Sequence, residues 1–215
     1  MYNLCLFDLD GTLTDPKLGI TKSVQHALNH FDIQISNLDQ LEKFIGPPLR
    51  DSFREFYGFT AAEAELAVAK YREYFPQKGI FENQLYPGIL ETLAKLQSSG
   101  ITMAIATSKP TIYAEKIAQH FGFKKHFATI IGSELDGTRS KKSEIIHHVL
   151  KEIDPARKMN PLMIGDRHYD IIGANETAIH SIGVTWGYGS QEELTAAGAT
   201  FIASSQAQLC EIIVS

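Results

Sequence analysis

Short apolar runs alternate with longer amphipathic segments over much of the chain. Turn residues bound the runs, as is typical of buried parallel strands. They lie at Leu4–Phe7, Ile101–Ala106, Phe127–Ile131, Leu162–Ile164 and Ser181–Thr185, with an edge strand at Thr200–Ala203. Helical periodicity follows several of them, at Ile89–Gln97, Ile112–Phe121, Glu144–Ile153 and Ile171–Thr177. The pattern predicts an α/β fold with a doubly wound, Rossmann-like parallel sheet.

The connection between the first two predicted strands is unusually long. It spans about 90 residues, whereas a crossover helix needs only about a dozen. Four segments within it have helical periodicity, namely Leu18–Phe31, Leu38–Phe44, Leu49–Tyr57 and Ala61–Phe75. We therefore expect a small α-helical domain at 15–83, inserted into a core formed by 1–14 and 84–215. The polar stretches Thr14–Lys17 and Gln77–Gln84 are the expected hinges.

Composition and charge argue against several classes of partner. The chain has 20 Lys and Arg residues and 25 Asp and Glu residues, which gives a formal charge of -5. It has no run or stripe of basic residues. Nucleic acid is therefore not an expected partner. No apolar run approaches a membrane span, and the N-terminal residues lack the features of a signal peptide. These observations predict a cytoplasmic protein without a membrane partner, and they give no indication of oligomeric state.

Polar residues follow the predicted strands, where open α/β sheets bind their ligands. Asp8 and Asp10 come directly after the first strand, and Asp166 follows a later one. Two carboxylates so close indicate a divalent cation such as magnesium, which binds one or two carboxylates together with water and phosphate. A calcium loop of the EF-hand type is excluded, because the required Gly and Glu positions hold Leu13 and Gly19.

Four motifs, in this order, resemble those of the haloacid dehalogenase superfamily. They are Asp8-Leu-Asp10-Gly-Thr12, Thr107-Ser108-Lys109-Pro110, a Lys before a helix, and Gly165-Asp166-Arg-His-Tyr-Asp170. The resemblance covers the whole chain. The inserted segment, with Ile45-Gly46-Pro47-Pro48-Leu49-Arg50, resembles the cap domain of the phosphoglycolate phosphatase-like branch.

The resemblance implies a role for each acidic residue. Asp8 would attack phosphorus and form an aspartyl-phosphate, and Asp10 would act as general acid and base. Magnesium (Mg2+) would be held by Asp8, the backbone carbonyl of Asp10, and Asp166. Asp170 would orient the site without contacting the metal.

The resemblance also implies phosphate-binding groups. These are Thr107, Ser108 and a lysine ahead of the Glu144–Ile153 helix. Both Lys141 and Lys142 are available there, and Lys142 fits the family pattern better. Arg50 is the residue of the inserted domain that we expect nearest to a substrate. The glycine-rich stretch Gly187–Ser190 lacks the lysine of a Walker motif and is interpreted as an ordinary loop.

The expected activity is magnesium-dependent hydrolysis of a small phosphorylated metabolite, with phosphoglycolate as the family-level substrate. A 5'-nucleotidase or pyrophosphatase of the same fold is an alternative. A phosphotransferase of the β-phosphoglucomutase kind would share the nucleophile but return the phosphate to sugar. A phosphate-binding module without catalysis is a further alternative, from outside enzymology.

Overall fold

The computed structural model describes residues 1–214. Its strands are β1 (Leu4–Phe7), β2 (Thr14–Asp15), β3 (Gln84–Leu85), β4 (Thr102–Pro110), β5 (Thr129–Ser133), β6 (Pro161–Gly165), β7 (His180–Val184) and β8 (Phe201–Ala203). Its α-helices are α1 (Lys17–Asn29), α2 (Leu49–Tyr57), α3 (Ala61–Tyr74), α4 (Ile89–Ser98), α5 (Thr111–His120), α6 (Lys142–Ile153), α7 (His168–Glu176), α8 (Gln191–Ala196) and α9 (Gln206–Val214).

Six of the strands form a parallel sheet, which confirms the predicted doubly wound α/β fold. The order is β5-β4-β1-β6-β7-β8, and each neighbouring pair is parallel. The chain builds one side of the sheet from β1 through β4 to β5, and then crosses back to β6. The order of the strands therefore reverses next to β1, where such sheets bind their ligands.

The core of the sheet consists of aliphatic side chains with almost no exposure. On one face, Leu4 and Leu6 of β1 pack with Met163 of β6 and with Ile145 and Val149 of α6. These strands are buried on both faces, which explains why they appear in the sequence as continuous apolar runs rather than alternating ones. The central strands are thus rigidly packed, and the loops that follow them begin from fixed positions.

Contacts divide the chain into two compact units. One comprises Met1–Thr14 with the chain from Leu85 onward, and the other is Asp15–Gln84. The second unit contains α1, α2 and α3, a 3-10 helix at Leu38–Phe44 and a π-helical turn at Phe75–Gly79. Its interior combines aliphatic and aromatic side chains, with Phe44 packed on Phe53 at a ring-centroid distance of 5.0 Å.

Several element boundaries differ from the predicted ones. β5 begins at Thr129 rather than Phe127, because Lys124–His126 forms a 3-10 turn that ends at Phe127. β4 continues beyond Ala106 to Pro110, with an irregularity in its register to β5 between these residues. Within the described residues, no helix has both the length and the apolar character needed to cross a membrane.

Candidate active site

Four carboxylates gather at the carboxyl end of the sheet. Asp8 and Asp10 follow β1, Asp166 follows β6, and Asp170 lies in the first turn of α7. All four are buried, with exposed fractions of 5%, 8%, 0% and 1% respectively. Carboxylate oxygens of Asp8, Asp166 and Asp170 lie within 4.8 Å of one another. The fold thus brings together the four acids that the sequence separates by up to 162 positions.

The turn after β1 passes very close to Asp166. Gly11 adopts a φ of +83°, and a Cβ at this position would lie 2.1 Å from Asp166 Oδ2. Only glycine combines this conformation with so close an approach. The hydroxyl of Thr12 donates to Asp166 Oδ1 at 3.4 Å, and the backbone N–H of Leu9 donates to Asp8 Oδ1 at 2.7 Å. The turn therefore orients both carboxylates.

Lys142 is the lysine that enters the acidic cluster. Its Nζ lies 3.1 Å from Asp8 Oδ1 and 2.7 Å from Asp170 Oδ1, and it donates to the carbonyl of Ala106 at 2.9 Å. Burial alone would lower the pKa of Lys142, but the charges of Asp170 and Asp8 outweigh it and raise the pKa. Lys141, by contrast, is exposed. The ammonium of Lys142 is thus the fixed positive charge beside Asp8.

A second buried lysine, Lys109, pairs with Asp10. Its Nζ lies 2.6 Å from Asp10 Oδ2, and its side chain is 5% exposed. Burial raises the pKa of Asp10, whereas the charge of Lys109 and its hydrogen bond oppose that rise without cancelling it. Sequence reasoning quoted Lys109 within a motif but assigned it no role. Its position in that motif was the only available signal.

The other predicted phosphate-binding residues, Thr107 and Ser108, lie near the carboxyl end of β4. Thr107 is buried within the extended part of β4, and its hydroxyl accepts from the backbone N–H of Lys109 at 3.3 Å. The carbonyl of Ser108 accepts from the hydroxyl of Ser133 at 2.8 Å. Both residues lie at the carboxyl edge of the sheet. Arg50 belongs to the helical unit, where its Nε donates to Glu65.

The donor set fits a hard divalent cation. Burial and the charges of Asp170 and Asp8 raise the pKa of Asp166 well above its ordinary value. Burial likewise raises the pKa of Asp170 to about 6, against the opposing charge of Lys142. In addition, Asp10 Oδ1 is buried without a hydrogen-bond partner. Buried carboxylates therefore outnumber the ammonium groups beside them, and oxygen ligands are those that magnesium prefers.

The helical unit contains a cavity of about 460 Å³. Its walls include the apolar side chains of Leu18, Leu38 and Phe81, together with Asp15 and Lys17. Sequence reasoning did not foresee this cavity, because its walls come from both ends of the inserted segment. A volume of this size is within the range of small-molecule pockets.

The parallel sheet, its reversal of strand order and the buried acids at that point define an α/β enzyme that acts on a ligand at the carboxyl edge of its sheet. The model of the haloacid dehalogenase-like hydrolase family matches residues 5–184. The chain belongs to this family, as its motifs predicted, and it is a phosphatase.

Two relatives and a solved structure with phosphatase or nucleotidase names are consistent with this class. A 5'-nucleotidase from Pseudomonas aeruginosa is 48% identical, covering 100% of this chain and 96% of the relative. A phosphoglycolate phosphatase from Agrobacterium fabrum is 31% identical over 86% of this chain and 81% of its own length. The crystal structure of a predicted phosphatase from Clostridium acetobutylicum has a TM-score of 0.95 at 46% identity, covering 100% of this chain and 99% of the other.

Another relative is named as a kinase. The tyrosine-protein kinase PtkA from Mycobacterium tuberculosis is 36% identical over 93% of this chain and 67% of its own length.

Proposed function

We propose that this phosphatase is magnesium-dependent and hydrolyses a small phosphomonoester through an aspartyl-phosphate on Asp8. The observation that carries the proposal is the position of the Asp8 carboxylate. It lies beside the ammonium of Lys142, among carboxylates that fit a cation, and its Oδ1 is held by the Leu9 N–H. A fixed carboxylate next to balancing positive charge is what in-line attack on a phosphate dianion requires.

In the first step, an Asp8 oxygen forms a bond to phosphorus while the bond to the leaving oxygen breaks. Asp10 supplies the proton that the leaving alkoxide takes up, and the rise in its pKa caused by burial favours the protonated form that this role needs. In the second step, Asp10 accepts a proton from water as that water attacks the phosphorus. Phosphate leaves, and the Asp8 carboxylate is restored.

Asp8, the carbonyl of Asp10, and Asp166 would hold magnesium, which when bound neutralises phosphate charge and orients the substrate. Asp170 is already engaged by other groups. Its Oδ1 lies 2.7 Å from Lys142 Nζ, and its Oδ2 accepts from the backbone N–H of Arg167 at 3.1 Å. Its role is therefore to hold Lys142 in position. Thr107 and Ser108 would bind phosphate oxygens.

The helical unit would serve as a cap that selects the substrate and excludes water. Its cavity of about 460 Å³ has both apolar and polar walls. Nucleoside 5'-monophosphates rank first among the substrates to test, because the 5'-nucleotidase relative is 48% identical along the whole chain. Phosphoglycolate ranks second, on the basis of the phosphatase relative at 31% identity. Arg50 would contribute to this selection.

The test is phosphate release from a panel of nucleoside monophosphates, phosphoglycolate, sugar phosphates and pyrophosphate, with magnesium or excess chelator. Asp8→Asn should lose nearly all turnover while keeping its circular dichroism spectrum, because an amide is not a competent nucleophile. Asp51→Asn, at an exposed position in α2, should behave as wild type. Turnover that survives either Asp8→Asn or the chelator would refute the mechanism.

A second candidate is phosphoryl transfer to an acceptor hydroxyl instead of water. The kinship with a tyrosine-protein kinase at 36% identity favours testing it. Incubation with ATP and a tyrosine-containing peptide, followed by mass spectrometry, would detect it. A phosphopeptide formed by wild type and not by Asp8→Asn supports transfer, and its absence alongside phosphate release assigns the chain to hydrolysis alone.

A further inference from the structure

The segment that follows β7, residues 186–193, contacts the loops that carry the acidic cluster. We call these residues the clasp segment. The indole N–H of Trp186 donates to the carbonyl of Thr12 at 3.0 Å. The backbone N–H of Tyr188 donates to Asp166 Oδ2 at 2.8 Å. The segment therefore bonds directly to one of the acids proposed to hold magnesium, as well as to the turn after β1.

Two glycines bring the clasp segment this close. A Cβ on Gly187 would lie 2.3 Å from the carbonyl oxygen of Gly11 and 2.4 Å from Asp166 Oδ2. A Cβ on Gly189 would lie 2.0 Å from the backbone oxygen of Asp166. A side chain at Gly187 would therefore displace Gly11 or the side chain of Asp166, and a side chain at Gly189 would displace the backbone of Asp166. The stretch interpreted from the sequence as an ordinary loop is thus a close-fitting part of the site.

Glu193 ends the clasp segment and makes three contacts through a single oxygen. Its Oε1 accepts from Arg167 Nε at 2.9 Å and from the backbone N–H of His168 at 2.9 Å, and it lies 2.7 Å from His168 Nδ1. Burial alone would raise the pKa of Glu193, but these hydrogen bonds lower it overall. The carboxylate of Glu193 is therefore ionised, and its Oε1 bonds to Arg167 and His168.

Arg167 and His168 lie between Asp166 and Asp170 in the chain. Holding these two residues in place constrains the backbone from which both acids project, because Arg167 directly follows Asp166 and its N–H also donates to Asp170 Oδ2. Resting on the function proposed above, we propose that Glu193 is a positioning residue for magnesium binding. It acts through Arg167 and His168 on Asp166, and it touches neither the metal nor the phosphate.

The test measures magnesium affinity directly, by isothermal titration calorimetry, alongside the magnesium dependence of turnover. Glu193→Ala should weaken magnesium binding roughly 10-fold or more, as is usual when a residue that orients a metal ligand is removed. Saturating magnesium should restore most of the turnover, because the nucleophile is untouched. Glu193→Gln should weaken magnesium binding measurably but less than Glu193→Ala, since its neutral amide oxygen accepts the same hydrogen bonds more weakly than a carboxylate does.

Glu192→Gln is the matched control. Glu192 is the neighbouring residue in the same helix turn and is exposed. The magnesium affinity of the Glu192→Gln variant should therefore equal that of wild type. Gly187→Ala should weaken magnesium binding at least as much as Glu193→Ala, because the added carbon meets Asp166 itself. Melting temperatures without magnesium show which variants are folded. If Glu193→Ala does not fold, Glu193→Gln decides the question by the same titration.

Wild-type magnesium affinity in folded Glu193→Ala, or in Glu193→Gln where Ala does not fold, would overturn this inference. A drop in turnover that saturating magnesium does not relieve, with unchanged affinity, would also overturn it. The failure of the proposed function has a different signature, namely wild-type protein that binds magnesium but releases no phosphate. In that case the calorimetric comparison still tests the role of Glu193.

Discussion

At the scale of single residues, the site is governed by competition between burial and charge pairing. Asp10 and Lys109 are both nearly buried, and their charged atoms lie 2.6 Å apart. Each charge is tolerated inside the protein only because the other is present. The pair thus holds the Asp10 side chain in one place while leaving its pKa above the ordinary value.

Lys109→Met should therefore destabilise the protein. Removing one partner of a buried ion pair typically costs about 3–5 kcal/mol, because the remaining charge is uncompensated. Adding Asp10→Asn to Lys109→Met should recover part of the lost stability. Lowering the pH should also recover part of it in Lys109→Met, because Asp10 becomes protonated and loses its charge. Urea denaturation of both single variants and the double variant measures the coupling. Lys116→Met, at an exposed position in α5, should change stability by no more than about 0.5 kcal/mol.

If the double variant loses as much free energy of unfolding as the two single variants lose together, Lys109 and Asp10 are not coupled.

Asp166 provides a prediction about pH. Because its pKa lies well above the ordinary value of 3.8, the folded protein holds a proton that the unfolded chain has already released. Its contribution to stability is therefore complete at low pH and is lost as pH rises through the folded-state pKa. In chelator at pH 7, Asp166→Asn should be more stable than wild type by about 1 kcal/mol, or about 2–4 °C in Tm.

This gain should shrink as pH falls toward 4, where wild-type Asp166 is protonated in the folded state and regains its proton in part of the unfolded population. Magnesium should reverse the order at pH 7, since it binds the folded wild type and not the variant. Scanning calorimetry from pH 4 to pH 8 measures both effects. A variant that is less stable than wild type at pH 7 in chelator would contradict the argument.

The sequence predicted that Asp8, Asp10 and Asp166 lie close together, because they come just after apolar runs and strand ends converge at one edge of a parallel sheet. It did not identify Lys109 as the partner of Asp10. A one-residue shift in a strand turns a side chain to the opposite face, and β4 is irregular between Ala106 and Pro110. Glu193 was missed because its partners lie in a distant loop, and spacing alone does not pair them.

At the scale of elements, α6 and α7 together deliver Lys142 and Asp170. Lys142 is the first residue of α6, and Asp170 lies in the first turn of α7, where its carboxylate accepts from the Arg167 N–H. The sequence predicted α7 to begin only at Ile171. Its apolar periodicity starts there, whereas the polar first turn is specified by this hydrogen bond, which periodicity does not reveal.

Gly173 of α7 allows the two helices to pack closely. A Cβ on Gly173 would lie 2.7 Å from Cγ and 2.8 Å from Cβ of Lys142. Replacing a glycine by alanine inside a helix usually stabilises the helix by about 1 kcal/mol. Gly173→Ala should instead lower Tm and reduce turnover, because α6 must shift and Lys142 moves with it. Glu176→Ala, on the exposed surface of α7, is the control and should leave turnover unchanged. A gain in Tm for Gly173→Ala would contradict this.

At the scale of the whole molecule, the long connection after β1 indicated an insertion. The segment Asp15–Gln84 forms a compact unit. Its helices bury side chains three or four positions apart, such as Val24 and Leu28 of α1, which explains the helical periodicity of its sequence. Its 3-10 helix at Leu38–Phe44 has the same apolar spacing as a short α-helix, and the sequence did not distinguish the two. Its role as a cap is a proposal that a deletion tests.

Replacing Asp15–Gln84 by a short Gly-Ser linker should leave a folded core. All six strands of the parallel sheet lie outside this segment, and the backbone N–H of Tyr86 donates to the Leu13 carbonyl at 3.2 Å, so the chain ends to be joined are already adjacent. The shortened protein should still bind magnesium and hydrolyse a small activated phosphate ester. Its kcat/KM for a nucleoside monophosphate should fall at least about 10-fold, because binding energy from the non-reacting part of the substrate is lost.

Circular dichroism and calorimetric magnesium binding establish that the core is intact. Equal loss for both substrates would mean that the helical unit supports the site as a whole and does not select the substrate.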